Sequence, residues 1–159
     1  MSGSGAGGGA REATGAKTAL KIGAGLARRI EAHGVETYPY ECCGALLGRD
    51  GDGGREVVDL VPLENRRNDS PRNRFEVTPE DVRLAEKTAR EKRVELIGWY
   101  HSHPDCEARP SEYDRDHAWP WYSYIIVSVR ERAAREMFSW RLQDDRAAYD
   151  AEAIETVES

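Results

Sequence analysis

HSHPDCEARPSEYD, residues 101–114, sets two histidines, a proline, a serine and an aspartate within fourteen positions. The run before it, VELIGWY at 94–100, is largely apolar and reads as a strand that carries on into the histidines. Strand side chains alternate faces at about 3.3 Å per residue, so His101 and His103 share a face with Cα atoms roughly 6–7 Å apart. Both imidazoles then reach one ion held at about 2.0–2.1 Å from each nitrogen. Pro104 cannot continue the ladder and helps turn the chain away past the second histidine. Ser111 to Asp114 has the S-x-x-D form of a helix start, whose first-turn carboxylate can swing back toward the same ion. Each piece alone has an ordinary reading: H-x-H as two polar strand residues, S-x-x-D as a capping box. Together they offer two imidazoles and one carboxylate, which leaves a fourth tetrahedral position for water, as in catalytic rather than structural zinc sites.

Outward from this stretch, the elements alternate. Leu20 to His33 places Leu20, Ile22, Leu26 and Ile30 near one helical face and predicts a helix stopped by Gly34, although Gly23 and Gly25 weaken its start. YPYECCGALLG (38–48) and REVVDLVPLEN (55–65) predict two strands paired through a DGDGG turn (50–54). NRRNDSPRNRFEV (65–77) predicts a loop with a short strand. Thr78-Pro79-Glu80-Asp81 supplies an N-cap, a proline at the first helical position and an acid at the third, predicting a helix over 79–93 with Val82, Ala85 and Ala89 toward the core. Strands are expected at YSYIIVSV (122–129) and REMFSWRL (135–142), with a short terminal element near AAYDAEAIE (147–155). The order indicates a mixed α/β domain.

The 159 residues suit one domain, taken here as 19–155 behind a flexible Gly/Ala-rich tail, 1–18. A net charge of -6 lacks the basic excess of a nucleic-acid binder. No apolar run approaches the roughly 20 residues of a membrane span, and the N-terminus lacks the apolar region of a secretory signal. Cys42, Cys43 and Cys106 are odd in number, two of them adjacent, which argues against a disulfide framework and for the cytoplasm. Nothing in the sequence sets an oligomeric state.

A water at such a metal needs a proton acceptor. Glu41 is the candidate, because it stands at the mouth of the apolar run 42–48 where a charge has no obvious packing role; alone, it would read as an exposed acid ahead of a strand. Glu41 in ECCGALLG, followed at a distance by H-x-H-P, six residues and S-x-x-D, resembles the JAMM (MPN-plus) zinc metallopeptidase family over about residues 20–150. The resemblance implies one zinc per chain held by His101, His103 and Asp114, with Glu41 as the general acid/base and Ser111 as an oxyanion donor that can also cap its helix. It implies an MPN/JAB-type fold, a curved mixed β-sheet flanked by helices and similar to cytidine deaminases. It further implies cleavage after the C-terminal Gly-Gly of a ubiquitin-like or sulfur-carrier protein, in the compact stand-alone prokaryotic form, since no long insertion separates Gly48 from Glu86.

The competing readings are a non-catalytic MPN scaffold or binding module, and a DNA-repair-associated relative with a similar H-x-H-P motif. The intact Glu41, His101, His103, Ser111 and Asp114 argue against the first, and the acidic charge against the second. Outside the motif, Arg66, Arg67, Arg72 and Arg74 form a basic loop that is either a dock for an acidic carrier or a solvated face. Cys106 stands close enough to Pro104 to approach the metal. His33 and His117 lack ligand spacing, and Trp119, Trp121, Tyr122 and Tyr124 are expected to pack in the core or at its rim.

Overall fold

The structure, a computed structural model, describes residues 19–64 and 77–158. The expected N-terminal tail and the basic loop carrying Arg66, Arg67, Arg72 and Arg74 lie outside those residues. In chain order the elements are β1 (Leu20–Gly23), α1 (Ala24–Thr37), β2 (Cys43–Gly51), β3 (Gly54–Leu63), α2 (Pro79–Glu91), β4 (Glu95–Pro104), α3 (Glu112–His117), β5 (Ser123–Arg130), β6 (Ala133–Leu142), β7 (Tyr149–Glu152) and β8 (Ile154–Val157). All eight strands join one sheet in the order β7-β6-β5-β4-β2-β3-β1-β8. The sheet is mixed: β1 runs parallel to β3 and β8, β4 parallel to β5, and the remaining neighbours are antiparallel.

β7 and β8 occupy opposite edges of this sheet although Ala153 alone separates them in the chain. The sheet must therefore curl until its two edges meet, and the Leu20 amide donates to the Ala153 carbonyl at 2.8 Å where they do. One face of the curl packs on α1, burying Leu20, Ile22, Ile30, Leu46, Tyr100 and Val127. The other packs on α2, burying Ala45, Leu47, Ala85, Ala89 and Trp99. Removing such side chains from water is the main stabilising term, about 25 cal/mol per Å² of apolar surface. Among the described residues no helix is long and apolar enough to cross a membrane.

Two expectations are corrected. Residues 20–23 form a strand, not the start of a helix, because Leu20 and Ile22 face the core on a two-residue period between β3 and β8. On a helix Leu20 and Ile22 would stand about 200° apart, whereas the two-residue period of a strand puts both toward the core. Nor does Gly34 stop α1, which runs on to Thr37. A Cβ on Gly34 would meet Val129 at 3.0 Å and Ser102 at 3.2 Å, so its bare backbone lets the helix press against β4 and β5. The terminal element resolves into β7 and β8, and the 79–93 helix ends at Glu91. The Thr78/Asp81 capping box is present as the sequence predicts.

In β4 the pairing with β2 slips: Leu46 faces Gly98 while Leu47 faces Leu96. The extra residue shifts the alternation, so Trp99 as well as Leu96 faces α2 while Tyr100 faces α1. His101 and His103 follow Trp99 on its side. Gly98 permits the close approach of β5, since a Cβ there would stand 2.1 Å from the Ser123 carbonyl oxygen.

Candidate metal centre

The C-terminal end of β4 delivers His101 and His103, and the first turn of α3 delivers Asp114. His101 Nε2 and His103 Nε2 are 3.2 Å apart, and Asp114 Oδ2 lies 3.3 Å from the first and 3.1 Å from the second. The three residues form a buried group able to hold a metal ion. Ligand atoms held about 2.0–2.1 Å from a common centre at tetrahedral angles stand roughly 3.3 Å apart, so the observed triangle already has the dimensions that zinc requires. Two ring nitrogens and a carboxylate oxygen are also the right donor set.

Two local devices set this triangle. His103 Nδ1 is 2.8 Å from the Glu107 carbonyl, which can only accept, so Nδ1 donates there and Nε2 is the ring nitrogen turned toward His101 and Asp114. Asp114 belongs to a capping box: its amide donates to Ser111 Oγ at 3.0 Å, and the Ser111 amide donates to Asp114 Oδ2 at 2.9 Å. The cap thus orients the oxygen that faces both imidazoles. Burial lowers the pKa of His101, against the opposing charge of Asp114. Burial opposes ionisation of Asp114, but the adjoining His101 and the hydrogen bonds from both histidines outweigh it and hold the carboxyl well below the usual range. Imidazole lone pairs and an ionised carboxylate are the donors a cation needs.

Glu41 is 3% exposed, not the surface acid of its ordinary reading. The strand-side pairing explains its placement: the Cys42 amide donates to Ser102 Oγ at 2.8 Å, the Ser102 amide returns a bond to the Cys42 carbonyl, and Cys43 faces His101. Burial first, and the charge of Asp114 second, push the Glu41 pKa up to about 9. Glu41, His103 and Ser111 line one polar cavity of about 660 Å³, together with Cys106, Arg109 and Arg130. Cys106 is exposed there and is not part of the His-His-Asp group. His33 instead bonds the Tyr100 hydroxyl at 2.7 Å, and His117 stacks on Tyr113 at 4.0 Å.

A second cavity, about 480 Å³, borders the group through His101 and Asp114 and is walled by Trp99, Tyr113, Trp119 and Tyr122. Tyr124 packs as expected, but Trp119 and Trp121 remain 65% and 43% exposed. The sequence reading missed this cavity, whose walls come from separate strands and helices with no common motif.

The loop between His103 and α3 is tied from β5 and β6. Ser128 Oγ donates to the Cys106 carbonyl at 2.5 Å, Trp140 Nε1 to the Ala108 carbonyl at 3.0 Å, and the Ala108 amide to Glu136 Oε2 at 3.3 Å. These bonds hold the Glu107 carbonyl against His103. Trp140→Phe, which keeps a ring but removes the N–H, is expected to weaken metal affinity about 10-fold, at the low end for groups that orient a ligand. Chelator competition measures it, and parental affinity would show the tie to be dispensable.

The structure thus defines a mixed α/β domain with a His-His-Asp group able to hold a metal ion at the end of a central strand. Residues 23–143 match the family described as prokaryotic homologs of the JAB domain, and the chain belongs to that family. It is 37% identical over 91 residues to a desampylase of Haloferax volcanii, a match covering 57% of this chain. That match spans 63% of the desampylase, less than two thirds of its length. It is 31% identical over 140 residues to the CysO-cysteine peptidase of Mycobacterium tuberculosis, covering 87% of this chain and 92% of that one. The solution structure of a Desulfitobacterium hafniense protein superposes with a TM-score of 0.77 at 30% identity, covering 88% of this chain and 94% of that one.

Proposed function

We propose that this chain is a zinc-dependent peptidase or isopeptidase that cleaves after the C-terminal Gly-Gly of a ubiquitin-like or sulfur-carrier protein. The observation that carries the reading is the zinc-sized triangle of His101, His103 and Asp114 beside a buried glutamate. Zinc held by the three residues would supply a Lewis acid that polarises the scissile carbonyl and acidifies water. Ionised beside a bound cation, Glu41 would accept the water proton and pass it to the departing nitrogen. The C–N bond breaks, the water oxygen remains on the glycine as a carboxylate, and the other product leaves as an amine. Ser111 Oγ accepts its capping bond as a lone-pair donor, which leaves its hydrogen to stabilise the developing oxyanion. The two roles use different parts of one hydroxyl.

The names of the desampylase and of the CysO-cysteine peptidase support a small protein with a modified tail as substrate. Three free cysteines fit a reducing, cytoplasmic setting. Glycine is the residue whose backbone can approach a site most closely, having no Cβ. Incubating the zinc-loaded protein with a sulfur carrier extended by one residue past Gly-Gly should release that residue, as followed by mass. Changing the last tail glycine to valine should depress turnover by about 10²-fold or more. Equal rates would indicate a general peptidase, and no cleavage with one zinc bound would leave a scaffold.

A further inference from the structure

Glu41, on the peptidase reading, hands a proton to the departing nitrogen, so the leaving group occupies the cavity that Glu41 lines. That is the polar cavity it shares with His103 and Ser111. The aromatic cavity, which meets the ligand group through His101 and Asp114, is left for the acyl side.

Apart from Pro104 and Cys106, every side chain around the polar cavity is polar or ionisable. The cavity carries two guanidinium groups, Arg109 and Arg130, beside the carboxyl groups of Glu41, Asp105 and Glu107. Arg109 holds Glu107 at 3.4 Å, but the two side chains are 71% and 72% exposed. A pair so exposed contributes little and is readily exchanged for a ligand carboxylate. Arg130 donates from Nε to Ser128 Oγ at 3.1 Å and from Nη2 to Glu136 at 3.3 Å, and it is still 43% exposed. Its fork can extend to one more acceptor.

We propose that Arg109 and Arg130 select a leaving group with a free α-carboxylate, a single amino acid released from the carrier tail rather than the lysine of a conjugated protein. The proposal rests on the peptidase reading. A single residue joined through its α-nitrogen carries its carboxylate one carbon from the scissile bond, within the same cavity. A longer peptide presents an uncharged amide at that distance, and a lysine conjugate, joined through its side-chain nitrogen, presents only methylene carbons.

The test compares a carrier ending in Gly-Gly-Ala as the free acid with its C-terminal amide. Cleavage by the zinc-loaded protein and binding to its Glu41→Gln variant are both measured. The acid should be favoured about tenfold in kcat/KM and in Kd, the lower end for a charge-assisted hydrogen bond. That preference should shrink with added salt. Arg109→Gln, an exposed change that leaves folding intact, should largely abolish it, whereas Arg130→Lys should retain part of it. Equal cleavage of acid and amide would overturn the clamp while leaving the peptidase intact. Better cleavage of longer extensions would also overturn it, in favour of a polypeptide that runs past Arg109 into the groove beside Phe138 and Trp140. Failure to cleave either substrate would remove the peptidase reading and the clamp together.

Discussion

Glu41→Gln is expected to bind one zinc as the parent does and to turn over about 10²- to 10⁴-fold more slowly, the usual effect of removing a positioned acid/base. Glutamine keeps the size and hydrogen bonding of the side chain but cannot take a proton. Elemental analysis beside kcat checks both halves, and parental turnover would sink the mechanism. The same variant should be more stable than the parent when metal-free. Burial and the Asp114 charge raise the Glu41 pKa from 4.5 to about 9. A carboxyl with a raised folded-state pKa contributes stability that is present below its unfolded pKa and lost as pH rises through the folded one. In the parent this loss proceeds between about pH 4.5 and 9, and in the glutamine variant it is absent. Above neutral pH the gain should reach a few kcal/mol, on the order of the linkage for a buried group shifted this far. Thermal unfolding of the metal-free proteins across that range measures it. A difference that does not grow with pH would mean that Glu41 ionises without penalty where it sits.

His101→Ala and Asp114→Ala should each lose the metal and the activity together. Two remaining ligands cannot complete the triangle, and zinc affinity should fall by more than about 100-fold, beyond what loss of an orienting partner alone produces. Asp114→Ala also removes the acceptor for the Ser111 amide, so α3 loses part of its cap at a cost of about 1 kcal/mol. His101→Ala leaves that cap in place. Comparing the two by chelator competition and thermal unfolding separates ligation from capping. Chelating the metal from the parent should abolish turnover without global unfolding, because both apolar clusters lie outside the ligand group. An alanine variant that keeps stoichiometric zinc would remove its residue from the ligand set.

Ser111→Ala stands between these cases. It retains all three ligands but loses both the capping acceptor and the oxyanion donor, so metal should stay while kcat falls about 10²- to 10³-fold. If kcat falls no further than helix fraying explains, the hydroxyl only caps.

The sequence by itself determined the elements that carry local periodicity, and the part of the site built from such elements. Two-residue alternation along β4 was enough to put His101 and His103 on one face, and the S-x-x-D signature placed Asp114 in the first turn of a helix. Both are consequences of backbone geometry within a few residues. The hairpin at 50–54 and the capped helix at Pro79 were legible for the same reason. Glu41 was only partly legible: its place ahead of an apolar run and its resemblance to a family pattern singled it out, but nothing local in the sequence brings it near the histidines. Tertiary structure decided that Glu41 is buried, through the register of β2 on β4, and that residues 20–23 are a strand, through neighbours supplied by β3 and the far end of the chain. It also decided that two cavities, one walled by aromatic and one by ionisable side chains, flank the ligand group and that β5 and β6 anchor the loop behind His103. Each of these depends on which distant strands become neighbours when the sheet curls closed, and pairing of that kind leaves no period in the residues on either side.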